Sequence, residues 1–159
     1  MNEYAILKFV HILSATFLFG TGVGTAFFMW MAHKSGDIST LRRTTRHVIL
    51  ADWVFTATSA LIQPLTGFLL MQELGWSFAS TWFVAVVFLY LLVGVCWIPV
   101  IFIQYRLRDF VDSVAQFSEL PVQYHETMGK WTALGIPAFV AIILLFALMV
   151  FKPLGAGLH

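Results

Sequence analysis

The sequence predicts an all-α fold: an integral membrane four-helix bundle with both termini outside and an amphipathic cytoplasmic segment between the third and fourth spans. Three observations predict it. Hydrophobic residues make up 60% of the 159 positions and charged residues only 11%, too few charges to clothe a soluble domain of this size. Those charges are gathered between four apolar runs, each of about 20 residues or more, which is enough to cross roughly 30 Å of hydrocarbon as a helix. Lipid offers no partner to an unpaired peptide group, so each run must close its own hydrogen bonds as a helix. The spans are placed at about 5–31, 48–71, 79–103 and 130–151, in a single transmembrane domain covering 1–159.

The first span contains "LKFVHILSATFLFGTGVG", residues 7–24. It is too long for a cleavable signal, and no small-residue cleavage site follows it. His11 lies about one and a half turns in, with Lys8 at the rim. At 100° per residue, Leu18, Gly22, Met29 and His33 fall within about 40° of His11. Gly22 lies roughly 16 Å below it on that face and leaves room for a flat, bulky molecule. Gly20 and Gly24, four residues apart on a neighbouring face, read as a close-packing contact for another helix.

The first connection, "HKSGDISTLRRTTRH", carries Lys34, Arg42, Arg43 and Arg46, and the third connection with its flanks carries Arg106, Arg108 and Lys130. Only Lys8 and Lys152 stand on the other side, so seven of the nine Lys and Arg residues flank two connections. By the positive-inside rule these connections are cytoplasmic and both termini face outward. Trp30, Trp53 and Trp131 near the inner interface and Trp76 and Trp82 near the outer one fit the same orientation.

In the second span Asp52, Thr56, Ser59, Gln63 and Thr66 are spaced by four, three, four and three residues, one stripe at helical period. Polar side chains within a span face the bundle interior or a cavity, and an ionisable one is a functional candidate. Two readings stand side by side: an occupied polar cavity, or hydroxyls bonded back to their own helix with Gln63 linking helices. The short second connection, "QELGWSFAS", makes the second and third spans an antiparallel hairpin. In "YRLRDFVDSVAQFSEL", Leu107, Phe110, Val114 and Phe117 recur at helical spacing. This segment either lies on the membrane surface or prolongs the third span, and Pro121 ends it.

The remaining histidines and the cysteine offer less. Cys96 is alone and inside the third span, which leaves no disulfide framework and no cysteine metal site. His33, His47 and His125 could meet at one level and ligate a metal or haem iron, or stand as interfacial residues with nothing bound. His159 belongs to a disordered tail or to a purification remnant. A net charge of +1 gives no reason to expect a nucleic-acid partner. The partners expected are the lipid bilayer and a hydrophobic small molecule or redox partner, and a homo-oligomer is left open.

"LKFVHI" at the start of the first span, a glycine about eleven residues on and a histidine near that span's other end resemble the small bacterial protoporphyrinogen IX oxidases of the HemJ type. The fourth span, "GIPAFVAIILLFALMVFKPL", with Pro137 near its start and Lys152–Pro153 at its close, is similar to that family's final helix. "LRR" before the second span and "PLTGFLL" within it are weaker echoes. The third span departs: in "GWSFASTW", Phe78 and Thr81 stand where that family has a histidine and a lysine. Over nearly its whole length the chain is more similar to a bacterial family of predicted four-span membrane proteins of unknown function. The resemblance implies a multi-pass protein of the bacterial inner (cytoplasmic) membrane, associated with haem.

The expected function is binding of haem b for electron transfer or for oxidation of a hydrophobic or porphyrin-like substrate. His11 is the axial iron ligand, since neutral imidazole ligates haem iron from inward faces of helical bundles. Gly22 gives steric relief, Lys8 serves the propionates, and Thr56, Ser59 and Gln63 donate hydrogen bonds to the bound molecule. Asp52 is the proton donor or acceptor. Met71 is the obvious sulfur ligand in the outer half of the other spans; otherwise the iron is five-coordinate or completed by water. The competing class is non-enzymatic: an accessory or assembly subunit, or a small transporter, with the stripe as helix-packing seam.

Overall fold

The computed structural model describes residues 3–151; Lys152, Pro153 and His159 lie outside the described residues. The first helix, α1, runs Glu3–Ser35 and stops where Gly36 adopts a φ of 67°, a left-handed conformation that glycine enters without a Cβ penalty. Asp37 then caps α2, Ile38–Ala51. Its carboxylate accepts the Ser39 and Thr40 backbone N–H groups at 3.1 and 2.9 Å as well as both hydroxyls. Those bonds, Thr40's first, hold the Asp37 carboxyl well below the usual carboxylate range. The first connection is therefore Gly36–Asp37 alone, and the basic stretch expected as a loop is helical. Its apolar Leu41 and Val48 are buried, which gives it one packed face and one charged one.

The helix continues from α2 through a π-helical turn, Asp52–Ala57, into α3, Thr58–Glu73. Pro64 has no N–H to give the carbonyl four residues back, and Tyr90 from the next helix donates its hydroxyl to that carbonyl, Ala60 O. A turn closed by Gly75 (φ 66°) leads to α4, Thr81–Asp112, capped by Ser80. A short 3₁₀ turn at Phe117–Glu119 follows, then α5, Val122–Phe151. The amphipathic segment thus prolongs the third span as far as Asp112, and the fourth helix begins eight residues before the predicted position. Counting Ile38–Glu73 as one, four helices are long and apolar enough to cross a membrane.

These helices have 30 to 36 residues, or about 45–54 Å at 1.5 Å per residue, well beyond the roughly 30 Å of a hydrocarbon core. The main apolar cluster lies at the Arg-rich end. Met29 and Ala32 of α1, Leu41 and Val48 of α2, Leu107 and Val111 of α4, and Leu120, Tyr124, Met128 and Trp131 meet there. Arg42 closes the end of α4 by donating to the carbonyls of Val111 and Val114 at 3.1 and 2.7 Å, and with Arg46 it pairs Asp112.

Along the span the helices divide into two pairs: α4 packs the length of α5, and α1 packs against α3. Contact between α1 and α5 is slight and includes Phe19 set between Phe139 and Phe146. Phe88, Phe102, Leu61 and Leu65 are each at least 65% exposed, a belt that only hydrocarbon accommodates.

Candidate functional site

The polar stripe of the second span is divided between two neighbours. Gln63 and Thr66 turn to α1, whereas Asp52 turns to α4. The π-helical turn between them supplies the reason. A turn closed by i→i+5 bonds holds one residue more than an α turn, and one residue offsets a helical face by about 100°. Asp52 lies at the start of that turn and Ser59 just beyond it.

At the α1–α3 seam His11 is half-buried, and its Nδ1 lies 2.7 Å from Thr66 Oγ1. The Thr66 hydroxyl has a single proton, and two carbonyls of its own helix are within its reach, Ile62 at 2.8 Å and Gln63 at 3.3 Å. In the tautomer protonated at Nδ1, His11 donates to that hydroxyl and Nε2 is left as a bare lone pair. Nε2 has no hydrogen-bond partner among the described residues. Gln63 donates to the His11 carbonyl at 2.7 Å and to Ser14 Oγ at 2.8 Å, while Ser14 Oγ donates to the same carbonyl at 3.1 Å. The imidazole also rests on a glycine: a Cβ at Gly67 would stand 3.4 Å from His11 Cε1.

The second cluster lies lower in the bundle. Asp52, 6% exposed, accepts Thr56 Oγ1 at 2.9 Å and Gln104 Nε2 of α4 at 2.6 Å. Fourteen residues separate Asp52 from Thr66, about 21 Å of helix. The structure does not bring Asp52 to His11. Both Gln63 N–H groups and the Thr56 proton are used within the chain; Ser59 is buried on the face between the clusters.

The glycines of the first span are arranged otherwise than expected. A Cβ at Gly20, Gly22 or Gly24 would meet nothing within 4 Å, so Gly20 and Gly24 make no close helix contact. The close approach belongs to Gly67. Gly22 is exposed, with open space beside it. Lys8 places its ammonium 5.6 Å from the Tyr4 ring at the Arg-poor end. Met71 is buried near that end.

Two of the three histidines expected at one level do meet. His33 Nδ1 and Tyr124 OH lie 2.9 Å apart, and the His33 and His125 rings stand 5.9 Å apart beside Phe117. His47 is exposed on α2 and shares no ring contact or hydrogen bond with them among the described residues. No group of three or more His, Cys, Asp or Glu side chains among the described residues is arranged to hold a metal ion.

Ser14, Gly67, Gln104 and Tyr90 were not singled out from sequence. Ser14 is three residues from His11, hence on its face, and Gly67 adjoins the last member of the stripe; both had a readable sign. Gln104 is the one amide of α4, just past the predicted end of the third span, and nothing in the spacing aligns it with Asp52.

A family model described as a predicted integral membrane protein, DUF2269, matches residues 5–153. No curated protein and no solved structure matches the chain.

Proposed function

We propose that this chain, which belongs to the DUF2269 family of predicted integral membrane proteins, presents His11 Nε2 as an axial ligand to a b-type haem bound beside the α1–α3 seam. The relay from His11 Nδ1–H to Thr66 Oγ1 to the Ile62 carbonyl carries this reading. Histidines that ligate metals donate their other ring N–H to a fixed acceptor, which sets the tautomer and raises the basicity of the ligating nitrogen. Protonated at Nδ1, His11 would have that acceptor in Thr66 and would leave Nε2 for the iron. The donor set fits one axial position, and the open space beside Gly22 leaves α1 accessible to a flat ring.

Haem held there would supply one-electron redox chemistry for electron transfer or for oxidation of a hydrophobic substrate. The chain's residues would orient the ligand: Gln63 and Ser14 fix the backbone that carries His11, and Gly67 admits the imidazole against α3. Asp52, in its separate cluster, would exchange protons toward the Arg-rich end. The test is haem content per chain. Wild type should carry about one haem and His11→Ala none while remaining helical, with added imidazole restoring haem to the variant.

A second reading has an observation of its own. Gln63, Thr66, Thr56 and Asp52 are all hydrogen-bonded within the chain, the pattern of a helix-packing seam in an accessory or assembly subunit. A wild-type protein without haem, destabilised by Gln63→Leu, would favour that reading.

A further inference from the structure

We propose that His33 of α1 and His125 of α5 form a pH-sensitive latch, which joins these helices at the Arg-rich end and releases them when both imidazoles are protonated. Contact between α1 and α5 is slight. Among the described residues, the ring contacts and hydrogen bonds between them fall at two places. Within the span, Phe19 sits between Phe139 and Phe146. At the Arg-rich end, the His33 and His125 rings stand 5.9 Å apart, and His33 Nδ1 lies 2.9 Å from Tyr124 OH. The latch lies at the opposite end of α1 from His11, so its test does not depend on bound haem.

When neutral, the two imidazoles pack as aromatic rings. Phe117 lies 5.9 Å from His33 and 6.4 Å from His125, and Tyr124 lies 5.6 and 5.2 Å from them. Imidazole is the side chain whose ordinary titration falls between pH 5 and 8. Protonating both rings sets two like charges in contact, and the flanking Phe117 and Tyr124 displace water that would screen them. The Tyr124 hydroxyl can accept from Nδ1 of a charged imidazole, so protonation leaves that bond possible and acts through charge.

Among the described residues, neither histidine has a carboxylate as ion-pair partner. The charges that bear on His33 are those of His125 and Lys34, both positive when protonated. The carboxylates at this end are engaged elsewhere. Asp112 is shared by Arg42 and Arg46, and Asp109 is paired with Arg108. Asp37 caps α2, and Glu119 accepts the Ala115 and Gln116 backbone N–H groups. Glu126 follows His125 and lies about 100° around α5 from it. Arg43 of α2, Arg106 of α4 and Lys130 of α5 are positive as well. A second proton on the pair therefore meets repulsion with no acid set against it, and separating α1 from α5 relieves that repulsion.

The test is amide hydrogen exchange of the whole chain in nanodiscs at pH 7.5, 6.5 and 5.5, corrected for the intrinsic pH dependence of exchange. All three values lie above the ordinary carboxylate range. Protection is read at 29–35 and 122–131, with 139–146 at the other contact as the internal reference. An opening that takes up one proton becomes about tenfold more frequent per pH unit. Protection at both segments should therefore fall about tenfold between pH 6.5 and 5.5, while the reference holds. His125 is exposed, so its substitution should leave the fold intact. His125→Gln should remove most of the fall, and His125→Glu should reverse it, because an acid then faces the protonated His33. Should either variant not fold, His33→Gln removes the other charge and should flatten the profile in the same way. Protection that stays flat in wild type overturns the proposal, as does an equal fall at the reference. A fall of the same size in His125→Gln, or one that does not reverse in His125→Glu, overturns it too.

Discussion

Thr66→Val removes one hydroxyl and keeps the shape of the side chain, so it isolates the relay behind His11. Two bonds are lost: the 2.7 Å bond to His11 Nδ1 and the 2.8 Å bond to the Ile62 carbonyl. The second is a local bond within a helix and is worth little to the bundle. The first crosses from α1 to α3, where side-chain hydrogen bonds within membranes average about 0.6 kcal/mol and reach about 1.7. The expected loss of stability is therefore about 1 kcal/mol, read as a small fall in melting temperature in detergent. The effect on haem should be much larger. Without an acceptor at Nδ1 the tautomer and ring orientation are no longer held, and loss of such a partner costs about 10–100-fold in metal affinity. Thr66→Ser keeps the hydroxyl and should retain haem. Haem titration of detergent-purified wild type, Thr66→Val and Thr66→Ser measures both effects. Equal haem affinity in all three would refute the argument that Thr66 sets the ligand.

The other predictions concern separate parts of the molecule. Gln104→Leu leaves Asp52 with the Thr56 hydroxyl as its only partner; it should cost about 1–3 kcal/mol in thermal unfolding and leave haem content unchanged, because the clusters lie far apart. Gly20→Ala meets open space and should stabilise α1 by about 0.5–1 kcal/mol, whereas Gly22→Leu should fold yet exclude haem; a lowered melting temperature for Gly20→Ala would restore the glycine as a packing contact. Reporter fusions after Thr40 and after Phe151 should read cytoplasm and periplasm respectively, and a cytoplasmic C-terminus would invert the topology.

The four spans could be read from the sequence because hydrocarbon imposes helix on any long apolar run, and the stripe because helical period is a property of one segment. What escaped belongs to pairs of segments or to single backbone turns. Asp52 keeps α-helical spacing with Gln63 in the sequence, yet the π-helical turn points it at Gln104 instead. Gly20 and Gly24 have the spacing of a packing motif, yet a Cβ at either would meet nothing within 4 Å, while Gly67, a single glycine with no motif, carries the close approach to His11. The Tyr90 bond to Ala60 answers a carbonyl freed by Pro64; the proline shows that a carbonyl is free but not which neighbour fills it. The basic stretch beyond Gly36 and Asp37 read as a loop because its charges conceal a buried row of Leu41, Thr45 and Val48.

The absorption spectrum of the purified chain, oxidised and then reduced with dithionite, tests the central claim most directly. Expressed with haem supplied, wild type should show a Soret band that shifts and sharpens on reduction, and His11→Ala should show none. A folded wild-type protein without a Soret band would contradict the account and leave His11, Thr66 and Gln63 as a hydrogen-bonded seam between two helices.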